Sequence, residues 1–170
     1  GFFTDLDRRY IEAAKANGLH NYMLSYVEQE SDITDMLDLD PEARIMAKIE
    51  SLKGVDWVRA VYPKYRDRVR LMAARGDLYV EVGRPDRILG ALRQIIAADP
   101  GAVVASRILT SLRDNPRPAC ADVTDVAAML GLGYRTFMVG DDICFNRDVL
   151  LLALDILTAI EREWTRPLDG

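Results

Sequence analysis

The amino-acid sequence predicts a soluble parallel α/β fold on three grounds. Short apolar runs alternate with helix-periodic segments along the whole chain. Hairpin turn signals between those runs are scarce. Nearly half of the 170 residues are apolar, enough for one buried core. Strands separated by single helices call for a parallel sheet with right-handed crossovers, since no tight turn joins parallel neighbours.

In chain order, Thr4 or Asp5 caps a helix through Asn17, which Gly18 stops. The run Tyr22 to Val27 is a short strand, and Ser31-Asp32 caps a helix to about Leu39, with Pro41 beyond it. Ile45 to Glu50 reads as the second strand, Leu52 to Val61 as a helix and Val69 to Ala73 as the third strand. Pro85 opens a strongly periodic helix to Ala98, and Ala102 to Ala105 is the fourth strand. Thr124-Asp125 caps a helix through Leu130 that Gly131 and Gly133 end. Thr136 to Val139 is the fifth strand and Arg147 to Trp164 the longest helix.

Net charge is −5, with both signs spread along the chain. No stretch concentrates enough Lys and Arg to neutralise a run of phosphates, so a dedicated nucleic-acid binder is not expected; Lys64 to Arg75, the densest basic stretch, reads as a solvated edge. No apolar run approaches the ~20 residues that span a bilayer, and the first residues show no basic leader, so a cytoplasmic location is expected. Cys120 and Cys144 are too few for a disulfide framework or zinc site, and the single histidine, His20, reads as a loop residue.

Buried parallel strands should be nearly pure hydrophobic runs, and the second strand breaks this with Lys48 and Glu50. Being two apart, they point to one side, with Ile45, Ala47 and Ile49 on the other. The carboxyl end of a parallel strand is where α/β folds put their sites; a buried structural ion pair is the alternative reading of the same two residues. The third strand runs into Arg75-Gly76-Asp77, where a short helical turn presents free N–H groups; the fourth ends in Ser106-Arg107 and the fifth in Gly140-Asp141-Asp142. Glu50 and Asp77, on adjacent strands, could give a hard divalent cation two carboxylates, with substrate and water completing its sphere.

Ile45-Met46-Ala47-Lys48-Ile49-Glu50 with Gly54-Val55, and Ala74-Arg75-Gly76-Asp77-Leu78 with Val80-Glu81, resemble strand ends of the pyruvate kinase family. Thr4 to Asp7, Leu24 to Val27, Val104 to Leu109, Asn115 to Pro118 and Ala121 to Ala127 resemble the same family in the same order. The resemblance implies the later part of a TIM-type (β/α) barrel, strands four to eight, as a partial barrel domain over 1–170 without lid domain or C-terminal regulatory domain, its site at the carboxyl-terminal mouth. It implies that Lys48 is the catalytic cation, neutralising a transferring phosphoryl group or enolate oxygen. Glu50 and Asp77 would hold Mg²⁺ or Mn²⁺, and Arg75, Gly76, Asp77 and Ser106 would bind the substrate acid.

Leu6 stands where the family usually has lysine, Glu28 where it has arginine, Tyr79 where it has glycine and Arg107 where it has glutamine. The resemblance therefore implies a divalent-metal-dependent protein acting on phosphoenolpyruvate, pyruvate or a related 2-oxo acid, without a complete nucleotide site of its own. Metal-dependent aldol cleavage or addition through a pyruvate enolate is one rival; a non-catalytic binding or assembly module is the other. Five strands cannot close an eight-stranded barrel, so a further copy, a partner chain or the remainder of a larger protein is expected to complete it.

Overall fold

The computed structural model describes residues 2–167; the outer limits of the expected 1–170 domain lie outside them. Helix α1 (Asp5–Ala16) starts at Thr4, whose hydroxyl accepts the Asp7 N–H while the Asp7 carboxylate accepts the Thr4 N–H. The elements that follow are β1 (Asn21–Leu24), α2 (Glu30–Leu39), β2 (Arg44–Ile49), α3 (Leu52–Ala60), β3 (Val69–Ala74) and α4 (Arg75–Glu81). The second half holds α5 (Ile88–Ala98), β4 (Val103–Ala105), α6 (Cys120–Leu132), β5 (Thr136–Met138), α7 (Asp141–Cys144) and α8 (Arg147–Thr165). No helix among the described residues is long and apolar enough to cross a membrane, and Cys120 and Cys144 are free and exposed.

The five strands are all parallel and lie in chain order, each beside its predecessor. A doubly wound sheet reverses its strand order at a switch point; this one never reverses, so right-handed crossovers carry every helix to the same face. Ile45, Ala47 and Ile49, Val69, Leu71 and Ala73, and Val104 pack on that face in one continuous core. A second cluster, Ile108, Leu109, Leu112, Val126, Leu130, Ile143 and Ala153, ties α6, α7 and α8 to the turn after β4. The other face is concave and only partly covered: Met72, Val103 and Ala105 pack there with Met46, while Met23 and Met138 flank them exposed to solvent.

Several element limits differ from expectation. The first strand stops at Leu24, because Tyr26 turns into the left-handed region (φ 51°) to bring its N–H to Glu50. Helix α2 starts at Glu30, before the expected Ser31-Asp32 cap; Asp32 serves one turn in, its carboxylate accepting the Glu28 and Gln29 N–H groups. The Pro85–Arg87 segment is a separate 3-10 turn ahead of α5. Helix α6 begins at Cys120, directly after Pro118-Ala119, so Thr124 and Asp125 lie inside it. Gly131 is also helical and packs against Trp164 of α8; only Gly133, at φ 112°, ends the helix.

Candidate functional site

Parallel pairing of β2 with β3 and of β3 with β4 sets Glu50, the Arg75-Gly76-Asp77 turn and Ser106 side by side at one end of the sheet. Lys48 and Glu50 leave β2 on the concave side, as their spacing requires, and form an ion pair of 2.8 Å. Lys48 Nζ also donates to Ser25 Oγ at 3.1 Å, and the second carboxylate oxygen of Glu50 accepts the Tyr26 N–H at 2.7 Å. Glu50 is 1% exposed and Lys48 23%, so the carboxylate is buried and the ammonium reaches the mouth. Ser51 follows at once and caps α3 by accepting the Gly54 N–H. A Cβ at Gly54 would stand 2.9 Å from the Val27 carbonyl oxygen, so glycine there lets α3 sit directly against the exit of β1.

On the neighbouring strand, Gly76 and Asp77 occupy the first turn of α4, where backbone N–H groups lack intrahelical acceptors. A Cβ at Gly76 would lie 3.4 Å from Ser106 Oγ, so the hydroxyl and the bare backbone adjoin across the two strand ends. Asp77 is exposed, and no hydrogen bond or ion pair engages its carboxylate among the described residues. The Tyr26 phenol is raised above its ordinary value by desolvation, then by the charges of Asp77, Glu50, Glu81 and Glu28. Among the described residues no group of three or more His, Cys, Asp and Glu side chains is placed to hold a metal ion, so the protein itself offers at most a pair of carboxylates here.

Arg75 is placed differently from the other expected substrate-binding residues. Its guanidinium pairs with both oxygens of Asp125 at 2.8 and 2.9 Å and donates to the Ser106 carbonyl at 2.8 Å. It braces the exit of β4 against α6. Ser106 and Arg107 there both hold left-handed backbone, at φ 70° and 57°. The four departures named above each have a structural setting. Leu6 is exposed on α1. Glu28 accepts the Ser51 hydroxyl and so steadies the cap of α3. Tyr79 and Arg107 meet each other, the guanidinium lying 5.8 Å from the ring centroid.

Sequence reasoning missed Ser25, Tyr26 and Asp125. A hydroxyl at the carboxyl end of an apolar strand was the available signal for Ser25; nothing local marked Asp125, which is 50 residues from Arg75.

Comparison with known proteins places the chain in a family. The sequence model described as "Pyruvate kinase, barrel domain" matches residues 2–142. The pyruvate kinase of Borreliella burgdorferi is 24% identical over 168 residues, covering 94% of this chain and 34% of the relative. That of Thermoplasma acidophilum is 31% identical over 134 residues (74% and 24%), and that of Thermotoga maritima 26% over 174 residues (98% and 36%). The chain thus spans about a third or less of the length of these relatives. A parallel sheet in unbroken chain order, a Lys–Glu pair at its carboxyl end and a barrel-domain match over most of the sequence lead to one conclusion: the chain belongs to the pyruvate kinase family, as part of its TIM-type barrel.

Proposed function

We propose that this chain carries the metal and oxo-acid half of a pyruvate-kinase-like site and acts on phosphoenolpyruvate, pyruvate or a related 2-oxo acid. The observation that carries the reading is the Lys48–Glu50 pair, buried at the strand ends beside an unengaged Asp77 and the Gly76–Ser106 contact. The donor set fits a hard divalent cation. Each Glu50 oxygen has one donor and keeps a lone pair, and Asp77 is uncommitted. Glu50 and Asp77 would hold Mg²⁺ or Mn²⁺, which supplies Lewis-acid stabilisation of an enolate or phosphoryl oxygen.

The chain's own residues do the rest. Lys48, steered by Ser25 and Glu50, places a fixed positive charge at the mouth, where negative charge develops on the reacting oxygen. The N–H groups of Gly76 and Asp77 and the Ser106 hydroxyl receive the substrate carboxylate. Arg75 acts through them, holding the Ser106 carbonyl rather than touching the acid. Glu28 stands where the family usually has arginine and is engaged with Ser51, which weighs against nucleotide-linked transfer by this chain alone and favours the aldolase-type and the non-catalytic readings alike. A barrel completed by further strands, from a second copy, a partner or more of the same protein, would cover the exposed concave face.

The test is calorimetry with Mn²⁺, then thermal unfolding with Mg²⁺ and oxalate, an enolpyruvate mimic. The parent is expected to bind Mn²⁺, Glu50→Gln and Asp77→Asn to bind it more weakly, and oxalate to raise the parent's midpoint only when Mg²⁺ is present. Equal Mn²⁺ affinity in all three proteins overturns the metal assignment. Absence of an oxalate shift in a sample whose barrel is complete overturns the substrate class.

A further inference from the structure

We infer that the cleft between α4–α5 and α6 is a second ligand site, taking a small monoanionic organic acid with an aromatic or branched aliphatic body. The cleft has a volume of about 370 Å³ and lies outside the mouth; Lys48, Glu50 and Asp77 do not line it. Its walls are Tyr79, Leu89, Leu92 and Met129, with Arg107 on one side and the Arg75–Asp125 pair on another. Tyr79 and Leu89 are about half exposed, an apolar surface left open to solvent.

Charge selects the ligand class. Asp125 is paired with Arg75. Asp122 accepts both the N–H and the hydroxyl of Ser111 and sits in the first turn of α6, where the helix dipole favours a carboxylate. Arg107 lies over the Tyr79 ring and forms no ion pair among the described residues, so one guanidinium in the cleft has no directly paired carboxylate. A dianion such as phosphate would meet Asp122 and Asp125 across the cleft; a single carboxylate answers that guanidinium and leaves its apolar body to the walls.

The backbone that carries the cation is also constrained. Ser106, Arg107 and Leu109 all adopt left-handed backbone (φ 70°, 57° and 52°), uncommon for residues with side chains and maintained where the surroundings over-determine it. Arg75 supplies that constraint by donating to the Ser106 carbonyl. The guanidinium itself lies 5.8 Å from the Tyr79 ring centroid, within cation–π range.

The experiment is methyl NMR of the chain labelled at Ile, Leu and Met methyls, titrated with phenylacetate and, separately, with phenylacetamide, which has the same shape without the charge. Phenylacetate is expected to shift the methyls of Leu89, Leu92 and Met129 saturably. Phenylacetamide on the parent, and phenylacetate on Arg107→Gln, should each bind roughly tenfold more weakly, the loss of one ion pair. Equal shifts from acid and amide overturn the inference, as do unchanged affinity in Arg107→Gln and shifts confined to Met23, Met46 and Met138 on the concave face. Because Lys48, Glu50 and Asp77 take no part, this result stands or falls separately from oxalate binding at the mouth.

Discussion

At the amino end of the sheet, Asp40 and Asp99 are buried carboxylates surrounded by donors. Asp99 accepts the N–H groups of Leu71 and Gly101 and the Arg70 guanidinium, all at 2.9 Å. Asp40 takes His20 and the Tyr22 hydroxyl at 2.8 Å and the Glu42 N–H at 3.1 Å. At the carboxyl end, Glu50 is buried as deeply but has one backbone donor and one ammonium, and that ammonium faces the mouth; among the described residues Asp77 has no such partner. Three-donor shells make Asp40 and Asp99 struts between loop and strand. The sparser shell at Glu50 leaves capacity for another ligand. Burial is the same for all three acids; what sets Glu50 apart from Asp40 and Asp99 is its unspent acceptor capacity.

Removing Lys48 tests this contrast most severely. Lys48→Met should cost about 3–5 kcal/mol in metal-free buffer, because it strands a buried carboxylate. Much of that loss should return with Mg²⁺ if a cation can take the place of the ammonium beside Glu50. Chemical denaturation with and without Mg²⁺ reads both numbers, and a loss indifferent to Mg²⁺ makes the pair a strut like the others. Asp99→Ala comes next, at about 3 kcal/mol, since it leaves the Leu71 N–H buried without an acceptor. Here no Mg²⁺ dependence is expected, and finding one would erase the distinction between the two ends.

The Asp40 contacts give a smaller and pH-dependent effect. Burial pushes its carboxyl up, but the His20, Tyr22 and Glu42 hydrogen bonds outweigh that and hold it below the usual carboxylate range. A lowered folded value means the stabilisation is complete above the unfolded value of about 3.9 and fades as pH falls through the lower folded one. Asp40→Asn should therefore be about 1–2 kcal/mol less stable than the parent at pH 7, with the gap closing in acid. Urea midpoints from pH 7 to pH 2.5 check it; a gap that widens in acid contradicts the assigned sign. Asp77→Asn should change metal-free stability by no more than about 0.5 kcal/mol, as suits an exposed acid with no partner to lose. A larger loss on the same urea curves would place Asp77 among the struts.

Much of this was legible in sequence because it depends on local periodicity. The period-2 alternation from Ile45 to Glu50 already separated the helix-facing residues from Lys48 and Glu50, and the structure keeps that division. The order of strand and helix was readable for the same reason. What escaped depended on distant partners. The end of β1 is set by Glu50 drawing in the Tyr26 N–H, 24 residues away. Gly131 looked like a helix stop, yet α6 continues through it, and the indole of Trp164 occupies the space a side chain there would need. Arg75 carried the charge expected of a substrate contact, and only the fold shows it spent on Asp125 and the Ser106 carbonyl. Nearness along the chain identifies groups suited to a chemistry; it does not say which are already occupied.

The early exit of the chain from β1 bears on solubility as well as on the site. An open sheet offers its border strands as templates on which other chains can grow, and a long flat border invites fibrous aggregation. Here one border strand has four residues and the other three, and past Leu24 the left-handed turn at Tyr26 carries the backbone away from the border line. Little ladder is left for an intruding strand to copy. These short borders therefore give open-ended, fibre-like growth little to build on.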